Sequence, residues 1–195
     1  MTDPIPPLSL RALLKEDWIR HDRSWSHPGF QALAVYRFGV WSNGLPRGVR
    51  MLASGIYEIA FRLIRNVYGV EIRREASIGR RVRLSHASSG MTIHWLAKIG
   101  DDCVIRQNVT IGGHGAMDDA PTLGNRVSVS PGAVILGRIT IGDDARIGPN
   151  AVVMSDIPAG ASVVAPASRV ITLPADRRVS TLGPAAPPDS PAASA

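Results

Sequence analysis

The sequence predicts a mainly β fold, a parallel β-helix in which a single chain winds as a three-sided prism, preceded by an α-helical segment. Three observations carry this. From residue 70 onward aliphatic residues recur every six positions: Ile72, Ile78 and Leu84, then Ile93, Ile99, Ile105 and Ile111, then Leu123, Val129, Ile135, Ile141, Ile147 and Val153. Glycine directly follows six of them, at Gly79, Gly100, Gly112, Gly124, Gly142 and Gly148. Before residue 70 the apolar residues keep a helical period instead. Neither the helix period of about 3.6 nor the strand period of about 2 yields a strict six, so the unit is an internal repeat.

A six-residue unit has a direct physical meaning. One short strand and one tight turn make a flat face, and three faces close a coil whose aliphatic residues point inward. Successive coils stack about 4.8 Å apart through backbone hydrogen bonds. Ala76, Ala97, Ala133, Ala145 and Ala151 suit the crowded corners, and glycine after the inward residue relieves backbone crowding there. A β-sandwich would instead place turn signals about every 8–12 residues, which this spacing does not do.

Taken in order, Ser9 is a plausible N-cap for a helix within 8–20, where Leu10, Leu13, Leu14 and Trp18 share one face. Pro28-Gly29 should end or divide the helical structure, with a second helix over 30–42. The stretch "NGLPRG" at 43–48 breaks the pattern, and a third helix over 49–67 runs through Val49, Leu52, Ile56, Ile59, Leu63 and Ile64. The chain thus divides into a helical region, 1–68, a β-helix, 69–172, and a Pro/Ala/Ser-rich tail, 173–195, expected to be disordered.

Two disturbances interrupt the repeat. After Leu84 the next inward residue is Ile93, so three extra residues leave the prism within "RLSHASSG", 83–90. Between Ile111 and Leu123 the spacing would let Met117 continue the repeat, but "HGAMDDAP" is poor strand material.

The formal net charge is +6, nearly all of it arginine, since lysine occurs only at Lys15 and Lys98. Such a balance suits an anionic partner. Nucleic acid is not expected as one, because aromatic residues make up only 5% of the chain, too few to interleave with a basic face. Arg73, Arg74, Arg80, Arg81 and Arg83 read first as a solvated face and second as an anion-attracting rim. Cys103 is the only cysteine, which excludes an intrachain disulfide and fits a small buried residue better than a nucleophile. No run has signal-peptide or membrane-span character, so a cytoplasmic protein without stable membrane insertion is expected.

Residues 70–171 resemble the serine O-acetyltransferases and their relatives from polysaccharide gene clusters. The matching stretches are "VEIRREASIGRRVRLSHASSG" (70–90), "IGDDCVIRQNVTIGG" (99–113), "PTLGNRVSVSPGAVILGRITIGDDARIGPNAVVMSDIPAG" (121–160) and "SVVAPASRVI" (162–171). The resemblance implies a single-stranded left-handed parallel β-helix that assembles as a homotrimer or a pair of trimers. It implies acetyl-CoA as cosubstrate, held in the groove between prisms, no metal, and direct transfer to a hydroxyl of a small-molecule acceptor. The family's catalytic histidine falls on His86 and its carboxylate partner on Glu71, where the serine enzymes have Asp. These two lie fifteen residues apart, which places them on adjacent coils near one corner, within reach of a carboxylate–imidazole contact. The loop 112–122 is expected to be extruded toward a neighbouring site. Gly112 and Gly113 would let the cofactor arm approach, the amides of Ser130, Gly132 and Ala133 would contact its pantetheine, and Arg146 would meet a CoA phosphate.

Three departures bear on the acceptor. Ser85 stands where the serine enzymes have Asp, and "DDAPT" replaces an Arg-His pair that engages the substrate carboxylate. Asp118 and Asp119 would repel a carboxylate and favour an amine or sugar hydroxyls. His114 is a candidate to replace the missing loop histidine, and His94 is either a second active-site group or a polar corner residue. The third departure is the extra residue in "SSG" before Met91. A sugar O-acetyltransferase is therefore the rival to a serine-type enzyme, and a non-catalytic scaffold the rival to both.

Overall fold

The computed structural model describes residues 9–115 and 118–167. Expectations about Met117 and the tail 173–195 lie outside those residues, as does the end of the β-helix range beyond 167.

Among the described residues three helices come first. Helix α1, Leu10–Arg20, starts at Ser9, whose hydroxyl accepts the Ala12 N–H at 3.3 Å. Helix α2, Pro28–Ser42, begins two residues earlier than the sequence suggests. Pro28-Gly29 opens this helix rather than ending one: at the first helical position the missing N–H has no intrahelical partner to lose. Its cap is His27, whose Nδ1 accepts the Gly29 N–H at 3.1 Å. Gly29 is there for clearance, since a Cβ would sit 2.1 Å from the Leu84 carbonyl oxygen. Helix α3, Arg47–Tyr68, ends on Gly69 in the left-handed conformation.

The prism follows, among the described residues, as fourteen short strands: β1 Val70–Ile72, β2 Ser77–Ile78, β3 Arg83–Leu84, β4 Met91–Ile93, β5 Lys98–Ile99, β6 Val104–Ile105, β7 Thr110–Gly112, β8 Thr122–Leu123, β9 Ser128–Val129, β10 Val134–Leu136, β11 Thr140–Ile141, β12 Arg146–Ile147, β13 Val152–Val153 and β14 Ser162–Val163. They form three parallel faces, β1-β4-β7-β10-β13, β2-β5-β8-β11 and β3-β6-β9-β12-β14. This is a hexapeptide-repeat parallel β-solenoid, consistent with the left-handed β-helix.

Register accounts for both interruptions. The first coil pairs with the second at Leu84–Ile105, three residues beyond the regular coil, and the surplus is a single 3-10 turn, Ala87–Ser89. Ile99 pairs with Leu123, so this coil is six residues longer than the regular one, the surplus lying between β7 and β8. Later coils resume at Leu123–Ile141 and Val129–Ile147. The inward aliphatic residues from Ile72 to Val153 are buried, as are the five corner alanines.

One corner shows why glycine and Asp or Asn alternate there. A Cβ at Gly100 would lie 2.5 Å from the Gly124 carbonyl oxygen. The next residue reaches along the stack: Asp101 Oδ1 accepts the Arg80 N–H, Asn125 Oδ1 that of Asp101, and Asp143 Oδ1 that of Asn125.

The helices cap the open end of the first coil. Its strands would otherwise expose unpaired backbone groups. The Tyr36 hydroxyl donates to the Ala76 carbonyl at 2.8 Å and accepts the Ile78 N–H at 3.0 Å. Arg37 donates to the Ile78 and Gly79 carbonyls and pairs with Asp17 at 2.9 Å. His21 Nε2 accepts the Leu84 N–H at 3.1 Å while Nδ1–H donates to the Asp17 carbonyl at 2.7 Å.

The arginines read as a solvated face are half-buried fasteners instead. Arg80 pairs with Glu16, Arg83 with Asp22 at 2.6 Å, and Arg81 with Asp102 at 2.6 Å. Arg73 lies over the Phe61 ring at 4.7 Å and Arg74 over Tyr57 at 4.8 Å. Their rings come from α3, too distant in sequence to be seen as neighbours.

Candidate active site

His86 follows β3 at the corner between the third face and the first. Its backbone is left-handed, φ 54°, as are those of Asn108, Gly132 and Asn150 at the same corner of later coils. A side chain there points off the prism, and His86 is exposed. Ser85 is half-buried, its N–H donating to the Ile105 carbonyl at 2.8 Å. Packed close by is the start of α2, where His27 is half-buried. Burial, Arg83 and His86 together push its pKa below the usual histidine range. Sequence reasoning missed His27, which sits 59 positions from His86 with no repeat linking them.

Glu71 is the middle residue of β1, opposite Thr92 of β4, with Val70, Ile72, Met91 and Ile93 turned inward on either side. The outward carboxylate lines a groove with Thr92, Ile93, His94 and Trp95. Among the described residues no hydrogen bond joins Glu71 to His86. Backbone brings their segments together: the Met91 N–H donates to the Gly69 carbonyl at 3.1 Å, where the His86 corner ends beside the start of β1.

His94 stands in this groove with Glu71. Its Nδ1 accepts the Leu96 N–H at 3.2 Å, and its ring meets Trp95 edge-on, 5.4 Å between centroids. His114 lies in the extruded loop and is exposed. Both loop acids are engaged locally: Asp118 pairs with Arg138 at 2.6 Å, and Asp119 Oδ2 accepts the His114 N–H at 3.1 Å.

Of the residues expected to line the cofactor, Gly112 closes β7, and a Cβ there would make only ordinary contact with Leu136 at 3.5 Å. Gly113 follows, half-buried. Prism packing does not demand glycine at Gly112. The amides of Ser130, Gly132 and Ala133 already donate within the prism, to the carbonyls of Ile147, Gln107 and Ser130. That leaves the half-buried Ser130 hydroxyl as the side-chain polar group among these three residues. Arg146, on β12, is exposed and makes no ion pair among the described residues. Cys103 is fully buried, donates to the Gly124 carbonyl at 3.1 Å, and burial pushes its pKa up to about 11, which keeps it an unreactive thiol. Among the described residues no three His, Cys, Asp or Glu side chains gather as a metal site.

The family described as "Bacterial transferase hexapeptide (six repeats)" matches residues 120–154. Serine acetyltransferase from Helicobacter pylori strain 26695 is 38% identical over 170 residues, covering 84% of this chain and 95% of that one. The chain belongs to the serine-acetyltransferase-like family of hexapeptide-repeat acyltransferases. It spans 64% of the length of the Synechocystis serine acetyltransferase, to which it is 42% identical over 168 residues covering 84% of this chain, and 57% of the Synechococcus elongatus one. The Escherichia coli K12 protein called putative colanic acid biosynthesis acetyltransferase is 40% identical over 114 residues, 57% of this chain and 70% of that one. Among solved structures, the soybean serine acetyltransferase apoenzyme superposes with a TM-score of 0.68 at 30% identity, covering 84% of this chain and 69% of that one. A serine acetyltransferase in complex with CoA gives 0.66 at 26% identity, covering 79% and 66%.

Proposed function

We propose that this chain transfers an acetyl group from acetyl-CoA to an acceptor hydroxyl, with His86 as general base and Glu71 as the carboxylate that orients it. The observation carrying the proposal is the fold-back at Gly69–Met91, which draws an exposed histidine corner onto the strand of an outward carboxylate. The similarity to a serine acetyltransferase bound to CoA supports acetyl-CoA as the donor.

A hydroxyl is a poor nucleophile at neutral pH, so the base must take its proton as the new ester bond forms. His86 accepts that proton and returns it to the departing thiolate, giving free CoA and the acetyl ester. The thioester is already activated, so no covalent enzyme intermediate is required. Gly112 and Gly113 leave room for the cofactor arm, and Arg146 offers a cation to a CoA phosphate. Assembly as a homotrimer, or a pair of trimers, fits the exposed apolar stripe along α3, formed by Val49, Leu52, Ile56, Ile59, Leu63 and Val67.

A sugar hydroxyl is the second reading of the acceptor. It is favoured by the loop, where Asp118 and Asp119 occupy the place of a carboxylate-binding pair and Arg138 is taken up by Asp118.

The test is release of CoA thiol from acetyl-CoA in the presence of L-serine, homoserine or a panel of sugars. His86→Ala should lower the rate by about a hundredfold to ten-thousandfold, the range for losing a positioned general base. No thiol release with any acceptor, or an unchanged rate in the variant, would sink the proposal and favour a non-catalytic scaffold.

A further inference from the structure

We infer that the groove bounded by Glu71, Thr92, His94 and Trp95 is a glycan subsite, with Trp95 as the platform on which a pyranose ring stacks. The inference rests on the acetyl-transfer reading of His86 and names the class of its acceptor as a sugar chain of two or more rings.

Register singles out Trp95. Ile93 pairs with Ile111, Ile111 with Ile135 and Ile135 with Val153. Two residues beyond each stand Trp95, Gly113, Gly137 and Ser155. Every later coil puts a small residue at this corner, and only the coil beside Glu71 puts the bulkiest one. Packing does not explain it, because Trp95 is 40% exposed. The same holds for Glu71, whose column continues as Thr92, Thr110, Val134 and Val152, without another charge.

The groove's polar groups match a sugar edge. Glu71 makes no hydrogen bond or ion pair among the described residues; with one oxygen given to His86, the other is left as an acceptor. The Thr92 hydroxyl both donates and accepts. His94 Nδ1 is occupied as an acceptor from Leu96 N–H, which leaves the proton of the neutral ring on Nε2 as a donor. Vicinal hydroxyls need such donors and acceptors side by side, while the C–H face of the ring needs an aromatic surface. A free amino acid would need a cation for its carboxylate, and neither Arg nor Lys lines this groove. Its volume, about 290 Å³, is at the lower end of small-molecule sites.

Position along the face sets the length of the acceptor. Trp95 stands past the far end of β4, Met91–Ile93, from the His86 corner, with roughly 10 Å of strand between them at about 3.3 Å per residue. A ring on Trp95 is therefore not the unit at His86 but its neighbour in the chain.

The test measures binding without acetyl-CoA. Disaccharides of gluco, galacto and manno configuration, the matching monosaccharides and L-serine are titrated by saturation-transfer NMR against the full chain. At least one disaccharide should bind more tightly than its monosaccharide. Trp95→Ala should weaken it about tenfold, the worth of a lost aromatic contact, and Trp95→Phe should retain most of the affinity. No disaccharide binding, or equal binding by Trp95→Ala, overturns the inference, as does a change of oligomeric mass in Trp95→Ala, which would assign the ring to a contact between copies. Sugar binding through Trp95 without thiol release would leave the subsite standing and remove the acetyl-transfer reading. Thiol release with L-serine and no sugar binding would do the reverse.

Discussion

Two arginine–aspartate pairs in this molecule have the same chemistry and opposite surroundings. At the joint between helices and prism, Arg37 meets Asp17 at 2.9 Å with side chains 6% and 1% exposed. At a prism corner, Arg126 meets Asp144 at 2.7 Å with side chains 53% and 54% exposed. The joint pair is also tied into backbone, because Arg37 donates to two carbonyls at the open edge of the first coil. The corner pair touches only its neighbours in the stack. Burial, not distance, decides what each contributes: water screens the outer pair, while the inner one has no alternative partner if broken.

The largest expected effect follows at the joint. Arg37→Ala leaves a buried carboxylate without its cation and two edge carbonyls without a donor. Removing one partner of a buried pair costs about 3–5 kcal/mol, so the denaturation midpoint in urea should fall steeply. A loss no greater than that of a surface substitution would mean that water reaches Asp17 and that the joint is not sealed.

The comparison also shows what was legible in the sequence. The prism was, with its first interruption, because each inward residue repeats one physical requirement six positions later; the second interruption keeps the period and was read from poor strand composition and the resemblance. Ile78, Ile99, Leu123 and Ile141 announce one another. The joint was not. Tyr36 meets Ala76, and His21 meets Leu84, across forty and sixty-three residues, and nothing local in "WIRHD" or "AVYRFG" tells a capping side chain from a surface one. For that reason Arg80, Arg81 and Arg83 read as solvated. At the candidate site the sequence supplied His86, Glu71 and His94 through spacing and resemblance. Trp95 was readable only once register set it beside Gly113 and Gly137. The engagement of Asp118 and Asp119 depended on how an extruded loop folds back, which no periodicity encodes.

Acid should open the joint before the prism. Burial pushes the His21 pKa down from 6.5 to about 4. A group depressed in the folded state contributes its full stability above its unfolded value, near pH 6.5, and loses it as pH falls toward 4. A displacement of this size is on the order of 3 kcal/mol. Asp17, whose carboxyl burial raises, works in the opposite sense, since its protonation favours the folded form. The two are separated by comparing wild type with His21→Asn: the variant should be less stable at pH 8, and its stability should fall less between pH 6.5 and pH 4. Parallel curves for the two proteins would show that His21 does not titrate with unfolding.

The smallest effect is expected at the corner. Arg126→Ala removes the contact with Asp144 and the weaker approach to Asp143 at 3.5 Å. Both acids keep partners or water: Asp143 still accepts the Asn125 N–H at 2.8 Å, and Asp144 faces solvent. Nothing buried is orphaned, so the melting temperature should match wild type within error, at low and at high salt alike. A clear drop at low salt that disappears at high salt would mean that the charges stacked along this corner, Asp102, Arg126, Asp143 and Asp144, act as one network. The corner would then resemble the joint more closely than its exposure suggests, and the contrast between the two pairs would be one of degree.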